Sequence, residues 1–261
     1  MAAPRPYDDA RHLDLAGLLQ MKAAGSRSSL LPKSAPAGSA MAGLAAKAGA
    51  ECLFICAEPA DVLDRWEDSG SPGLEYTVRN VACALQNFSS PAWMICELPG
   101  HCYDRPPQAG LSQALRLLKA GADMVSVKWE PGCVETCQLL VERGVPVCLY
   151  VADSQGASLA ALAADIRETG ATCVVMDELS AESSHSLALK LPDCLCLATH
   201  SGWPADGQLR SLENILGLTR TDPGLGQYLS VNQGISAAIA HYVCDAKSGL
   251  LARNLLQGCY Q

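Results

Sequence analysis

The chain has 261 residues, of which 49% are hydrophobic and 18% are charged, and its formal net charge is −8. This composition excludes an intrinsically disordered chain, and the length suits one large domain or two small ones. The acidic balance and the scattered arginines predict that the protein does not bind nucleic acid. No apolar stretch approaches the ~18 residues that are needed to span a bilayer, so we expect no membrane partner.

The cysteines indicate a reducing compartment. There are 13 of them, an odd number, and several lie inside apolar runs, such as Cys52 and Cys56 in "ECLFICAE". Disulfide frameworks of secreted proteins place cysteines in loops, whereas this usage is typical of buried, reduced thiols. The first residues, "MAAPRPYDDARHLDL", lack the apolar core of a signal peptide. We therefore expect a cytoplasmic protein.

Short apolar runs alternate with longer amphipathic stretches along the chain. Strands are predicted at Leu30–Lys33, Cys52–Ala57, Trp93–Glu97, Met124–Lys128, Val145–Val151, Cys173–Met176 and Cys194–Ala198, with a weaker eighth near Gly217–Arg220. Helices are predicted at Gly38–Ala48, Leu74–Asn87, Leu111–Ala120, Val134–Arg143, Leu159–Thr169, Ala181–Lys190, Gly207–Leu216 and Ile235–Ser248.

Several helices are predicted to end in a glycine that is followed at once by a strand, as in "KAGADMVSV" and "ETGATCVVM". Strands that are apolar on both faces are typical of parallel sheets covered by helices. Eight such units predict an α/β fold, a (β/α)8 TIM barrel. We expect a single domain over residues 1–261, with an N-terminal extension at 1–27 and a C-terminal helical segment at 225–261. A doubly wound open sheet is the alternative, although no GxGxxG motif follows the first strand.

The polar residues at the predicted strand ends are the candidates for function, because the active sites of such barrels lie at the carboxyl ends of the strands. They include Lys33, Glu58, Glu97, Ser126, Lys128, Glu130, Tyr150, Asp177 and His200. Among them, Lys33, Ser126 and His200 are candidates for binding a substrate. His200 is the one histidine of five at a predicted strand end.

Two carboxylates have both a functional and a structural interpretation. Glu97 in "WMICELPG" is a candidate ligand for a divalent cation such as Mg²⁺, which prefers oxygen ligands, or it caps the next helix. Asp177 follows four apolar residues in "CVVMDELS", where partial burial would suit a catalytic acid or base. Its neighbour Glu178 is the solvated member or the N-terminal partner of the next helix.

Lys128 and Glu130 have the same parity along an extended chain, so both can face one side. A lysine at a barrel mouth binds a substrate carboxylate or, if it is desolvated, forms a Schiff base with a ketone. The structural alternative is an ion pair at the rim, which contributes little.

Long segments of the chain resemble the ketopantoate hydroxymethyltransferase family. The resemblance runs through "LAGLLQMKAAG", "LEYTVRNVACALQN", "ICELP", "LLKAGADMV", "VETCQLLVERGVPVC", "TGATCVVMDE", "ADGQL" and "ISAAIAHYVCDAKSGLL". It implies a (β/α)8 barrel related to the phosphoenolpyruvate mutase and isocitrate lyase group, assembled as a homo-oligomer. It also implies transfer of a hydroxymethyl group from methylenetetrahydrofolate to an α-keto acid that is chelated by Mg²⁺.

The family's site residues carry over only in part. The first metal aspartate of the family falls on Ala57, with Glu58 beside it, and the second falls on Glu97. The base glutamate falls on Asp177, and the histidine after "VPVCG" becomes Tyr150. The family's "VKIEGG" corresponds to "VSVKWEPG" here. A gapless alignment places Ser126 at its lysine and Lys128 at its glutamate, whereas a two-residue slide places Lys128 and Glu130 there.

Three functions remain open at this point. In the first, an aldolase-type enzyme uses Glu97 and Glu58 to hold Mg²⁺ and Asp177 to move a proton. In the second, a metal-free enzyme uses Lys128 with Tyr150 as acid or hydrogen-bond donor. In the third, a non-catalytic paralogue serves as a binding or scaffold protein. The first two take a small-molecule substrate.

Overall fold

The structure of the protein is a computed structural model. The described residues are 17, 19–20, 28–34, 44–45, 48, 50, 52–56, 74–75, 77–79, 81–82, 92–99, 106–152, 158–177, 179–199, 205–211, 215–217 and 231–248. Eight parallel strands close into a barrel in which each strand pairs with its neighbours in chain order, and β8 pairs with β1. The predicted (β/α)8 fold is therefore confirmed.

The strands are β1 Ser28–Ser34, β2 Cys52–Ile55, β3 Trp93–Glu97, β4 Met124–Lys128, β5 Val147–Ala152, β6 Cys173–Asp177, β7 Leu195–Ala198 and β8 Gly207–Leu209. The helices with described bounds are α1 Pro107–Ala120, α2 Val134–Glu142, α3 Leu159–Thr169, α4 Ala181–Lys190 and α5 Asn232–Ser248. A short 3-10 turn, Pro131–Cys133, precedes α2.

The strands alternate between two apolar clusters, as a strand with side-chain period two must. One cluster fills the barrel and includes Cys52, Phe54, Ile95, Met124, Cys148, Tyr150, Val175 and Leu197. The other joins the outer face of the strands to the helices and includes Met94, Val125, Leu149, Val174, Leu117, Leu140 and Leu162. The parity of each strand therefore fixes which of its residues point into the barrel.

Hydroxyl and glycine residues mark the helix ends. The Ser158 side chain accepts a hydrogen bond from the Ala161 amide at 3.1 Å and so caps α3, and Ser180 caps α4 in the same way through Ser183. Helices α1 and α3 end at Gly121 and Gly170, both in the left-handed conformation. The predicted glycine ends are confirmed at these joints.

The eighth strand was predicted at the wrong place. Gly217, the first residue of the predicted strand, lies in a turn with φ of 67°, and the strand that closes the barrel is Gly207–Leu209. Those three residues were predicted to begin a helix. The strand is too short to give an apolar run, because Gly207 and Leu209 are buried and Gln208 is exposed.

The chain divides into two compact units, residues 1–211 and 212–261. The first contains the barrel, and the second contains α5. The predicted boundaries of one domain with terminal extensions stay a prediction. No helix within the described residues is both long and apolar enough to cross a membrane. Among the described cysteines nine are buried, Cys244 is exposed, and all ten are free thiols.

Two glycines with similar backbone conformations differ in what surrounds them, so a comparison of the two measures one contact between α2 and the end of α3. Gly144 and Gly170 have nearly equal φ of 75° and 73°, but a Cβ on Gly170 would meet Val141 Cγ1 at 3.1 Å, whereas a Cβ on Gly144 meets nothing within 4 Å. We expect Gly144→Ala to lower the free energy of unfolding by about 1 kcal/mol through the left-handed backbone alone. Gly170→Ala should cost more, because Val141 must also shift. Urea denaturation of both variants measures the difference, and equal losses would contradict the contact.

Candidate active site

Asp177 lies at the end of β6 between two hydroxyl groups from the neighbouring strands. The Tyr150 hydroxyl, from β5, donates a hydrogen bond to Asp177 Oδ2. The Thr199 hydroxyl, directly after β7, donates to Asp177 Oδ1. Both carboxylate oxygens are thus engaged at the carboxyl end of the barrel, where the chemistry of this fold is located.

Tyr150 is a buried hydroxyl beside Asp177 at this end of the barrel. Burial first, and then the hydrogen bond to Asp177 and the charge of that carboxylate, raise the pKa of the Tyr150 hydroxyl far above its ordinary value. The charges of Cys56 and Glu97 raise this pKa further. The tyrosine ring packs at 5.9 Å between centroids against Phe54 inside the barrel. Tyr150 is therefore a neutral hydrogen-bond donor across the physiological range of pH.

Glu97 and Ser126 lie beside each other on β3 and β4. Their Cα atoms are partners in the sheet register, and both have the parity of the barrel interior. Glu97 is partly buried. Ser126 is fully buried, and its Oγ has no hydrogen-bond partner among the described residues. A buried hydroxyl without a partner is costly, so it is a candidate contact for a polar ligand atom.

Lys128 and Glu130 lie at the rim. Lys128 is the exposed last residue of β4, and its Cα is the register partner of Tyr150. Glu130 is exposed and extended, and it begins the turn before α2, where its carbonyl accepts a hydrogen bond from the Cys133 amide. In this described segment no ion pair joins Lys128 to Glu130, so the structural alternative of a rim salt bridge has no support.

Three predicted site residues are not seen in full. Lys33 lies in β1, opposite Phe54 in the register, but its side chain is outside the described part of the structure. Glu58 and His200 are outside the described residues altogether. Their roles stay predictions.

Magnesium favours several oxygen ligands in octahedral geometry. Glu97 offers a carboxylate, but both oxygens of Asp177 already accept hydrogen bonds from hydroxyl groups. Among the described residues no group of three or more His, Cys, Asp or Glu side chains is arranged to hold a metal ion. Glu58, the other predicted ligand, lies outside the described residues, so a magnesium site that includes Glu97 stays a prediction.

Two residues of this site were not assigned a role from the sequence. Thr199 contacts Asp177, and Cys56 is buried at the end of β2 among the interior residues and acts electrostatically on Tyr150. Both residues continue the interior side of their strands at every second position. Cys56 follows Cys52 and Phe54, and Thr199 follows Leu195 and Leu197, so the side-chain alternation in the sequence could have identified them.

The fold and this carboxylate site define the class: a (β/α)8 barrel with acidic and hydroxyl side chains gathered at the carboxyl ends of its strands. The family model for ketopantoate hydroxymethyltransferase matches residues 13–251. The chain belongs to this family, which at family level indicates aldolase-type chemistry on carbon–carbon bonds.

Curated relatives match nearly the whole chain. The 3-methyl-2-oxobutanoate hydroxymethyltransferase of Delftia acidovorans is 26% identical, and the alignment covers 94% of this chain and 90% of that protein. The enzyme of the same name from Paracidovorax citrulli is also 26% identical over 94% of this chain and 89% of its own length.

Solved structures confirm the fold. A 2,3-dimethylmalate lyase, described as a member of the PEP mutase/isocitrate lyase superfamily, has a TM-score of 0.56 at 15% identity and covers 90% of this chain and 98% of its own. A phosphonopyruvate hydrolase in complex with oxalate and Mg²⁺ has a TM-score of 0.57 at 10% identity, covering 90% and 88%. At these identities the likeness concerns the fold alone.

The causes of the raised Tyr150 pKa can be ranked by experiment. Asp177→Asn removes the charge beside the hydroxyl, so we expect the pKa of Tyr150 to fall. Glu97→Gln should lower it less, because the charge of Glu97 is the weakest of the causes. Ultraviolet titration of tyrosinate, with Tyr150→Phe variants subtracted in each background, measures the pH at which Tyr150 begins to ionise in each variant while the protein is still folded. A larger fall in Glu97→Gln than in Asp177→Asn would contradict the arrangement.

Proposed function

We propose that this protein is an enzyme that forms or breaks a carbon–carbon bond next to the carbonyl of an α-keto acid or a related small carboxylate. Asp177 accepts the proton from the carbon next to the carbonyl. In bond formation the resulting enolate is the nucleophile. In cleavage the enolate is released as the carbon–carbon bond breaks, and it then takes a proton from the Asp177 carboxyl group. The family supports this type of reaction, and the carboxylate of Asp177 at the end of β6 is the observation that carries the assignment.

A carboxylate suits this task when it is held in place. Asp177 accepts a hydrogen bond at Oδ2 from Tyr150 and at Oδ1 from Thr199, so its orientation is fixed from two sides. The neutral Tyr150 hydroxyl acts as a hydrogen-bond donor that orients Asp177. General base catalysis by a positioned side chain contributes ~10²–10⁴-fold in rate.

Ser126 and Lys128 are proposed to bind the substrate. Within the described part of the chain the buried Ser126 Oγ has no hydrogen-bond partner, and Ser126 lies next to Glu97 in the register, so a substrate oxygen would supply the missing hydrogen bond. Lys128 is exposed at the strand end and is proposed to attract the substrate carboxylate as a solvated cation. A Schiff-base lysine is commonly desolvated, so the exposure of Lys128 favours the binding role.

The cofactors of the family stay predictions for this chain. Magnesium would be held by Glu97 together with Glu58, and it would polarise the carbonyl of a keto acid as a Lewis acid. Methylenetetrahydrofolate is the one-carbon donor that the resemblance implies. A homo-oligomer in the cytoplasm is expected on the same ground, and native mass measurement tests the assembly.

The proton-transfer step can be tested without any one-carbon donor. The purified chain is incubated with 3-methyl-2-oxobutanoate, the compound in the relatives' name, in deuterated buffer with and without Mg²⁺. We expect exchange of the C3 proton for deuterium, followed by proton NMR, and a rate at least ~10²-fold lower in Asp177→Asn because the base is lost.

The matched control is Asp193→Asn, which makes the same change at an exposed acid just before β7, at the opposite end of the barrel. It should exchange at the rate of the unmodified protein. Exchange that persists in Asp177→Asn would remove Asp177 from the mechanism. A folded, unmodified protein that neither binds nor exchanges keto acids would favour the non-catalytic alternative.

The role of Lys128 is tested separately. Lys128→Ala should raise KM for the keto acid by about tenfold with little change in kcat, since it removes a binding charge. Lys128→Arg should keep most of the affinity, and Lys119→Ala, at an exposed position in the last turn of α1, should change nothing. Borohydride reduction with the keto acid should leave no adduct; a trapped adduct on Lys128 in the mass spectrum would support the Schiff base instead.

A further inference from the structure

Asp177 is fixed from two sides by side chains of two different strands. Tyr150 approaches Oδ2 from β5, and Thr199 approaches Oδ1 from the end of β7. The three residues bridge adjacent strands in the register, where Ala152 is the partner of Asp177 and Met176 is the partner of Ala198. A short side chain bound at both oxygens cannot rotate about its terminal bond without breaking one of these hydrogen bonds.

Thr199 is buried, and Asp177 is its closer acceptor. The Thr199 hydroxyl also lies 3.5 Å from the carbonyl of Met176, at the limit of a hydrogen bond. A hydroxyl has one proton to donate, so the charged carboxylate is favoured over this distant carbonyl. The donation to Asp177 is therefore the contact that Thr199 contributes to the site.

We propose that Thr199 is a positioning residue which, together with Tyr150, holds Asp177 in the orientation that proton transfer needs; this inference rests on the proposed role of Asp177. Tyr150 supplies the ring packed in the barrel, and Thr199 supplies the second fixed donor. Loss of either donor removes one of the two hydrogen bonds that orient the carboxylate, which then samples orientations that do not reach the substrate.

The titratable groups around Asp177 influence the pH at which its carboxylate takes up a proton. Tyr150 contacts it directly. The charges of Glu97 on β3 and of Cys56 at the end of β2 raise the pKa of Tyr150, the residue in contact with Asp177. Lys128 lies at the rim beside Tyr150 in the register. None of these groups is altered by a substitution at Thr199, so they are constant between the variants compared below.

The test compares Thr199→Val, which keeps the shape and removes the hydroxyl, with Thr199→Ser, which restores the hydroxyl. The first readout needs no turnover: the protein is labelled with ¹³C at the aspartate carboxyls, and the signal of Asp177, assigned with Asp177→Asn, is titrated with pH. A hydroxyl donor favours the charged carboxylate. We expect the midpoint of Thr199→Val to lie about one pH unit higher, from the strength of a hydrogen bond to a charged group, and that of Thr199→Ser to match the unmodified protein.

The second readout is the deuterium exchange of the keto acid. Thr199→Val should lower kcat by about tenfold with KM nearly unchanged, because the lost contact orients a base and does not bind substrate. Thr199→Ser should exchange within about twofold of the unmodified protein, a rescue that a purely structural role of the threonine would not require. If Thr199→Val does not fold, Thr199→Ala takes its place against Thr199→Ser.

The two proposals can fail separately. If the unmodified protein shows no exchange, the proposed function fails, and the carboxylate titration still tests the contact of Thr199. A folded Thr199→Val variant with an unchanged titration midpoint, or an exchange rate equal to that of the unmodified protein, would overturn the positioning role.

Discussion

Closure of eight parallel strands into a barrel forces every second residue of each strand into one enclosed space. Deep in the barrel that space is filled by Phe54, Met124, Cys148 and Leu197 and the other interior residues. At the carboxyl end the same parity continues into Glu97, Ser126, Tyr150, Asp177 and Thr199. Their proximity is thus a consequence of strand register. A slip by one residue in any strand would turn its polar end residue toward the helices.

The electrostatics of the site follow from this confinement. Burial and neighbouring negative charges keep Tyr150 protonated, so its hydroxyl is available as a donor to Asp177. Thr199 adds a second donor that does not titrate. Lys128 is outside this cluster at the solvent-exposed rim. The arrangement suits a carboxylate that moves a proton inside the mouth and a cation that attracts the substrate from outside.

The sequence predicts most of the barrel because each buried strand is a compact apolar run. The bounds of β3, β4, α3 and α4 are confirmed as predicted. The failure at β8 has a physical cause, since a three-residue strand containing a glycine and an exposed glutamine has no apolar run. Its pairing with β1 and β7 depends on closure of the whole sheet.

The sequence predicts where the candidate site lies in the barrel, but it predicts only some of the contacts between the side chains there. Strand ends identify Glu97, Tyr150 and Asp177 as neighbours, because parallel strands end on one face. The hydrogen bond from Thr199 depends on the relative stagger of β6 and β7, which a single sequence does not contain. The sequence predicts Ser126 as a substrate-binding candidate at a strand end, but only the structure shows that its hydroxyl has no partner among the described residues.

The proposed reaction requires that these side chains surround one substrate. A crystal structure of the protein soaked with Mg²⁺ and 3-methyl-2-oxobutanoate shows whether they do. We expect ligand density inside the barrel mouth, with the carbon next to the carbonyl within reach of the Asp177 carboxylate and a ligand oxygen on Ser126 Oγ. A mouth plugged by apolar side chains, or a ligand bound only on another surface, would contradict it.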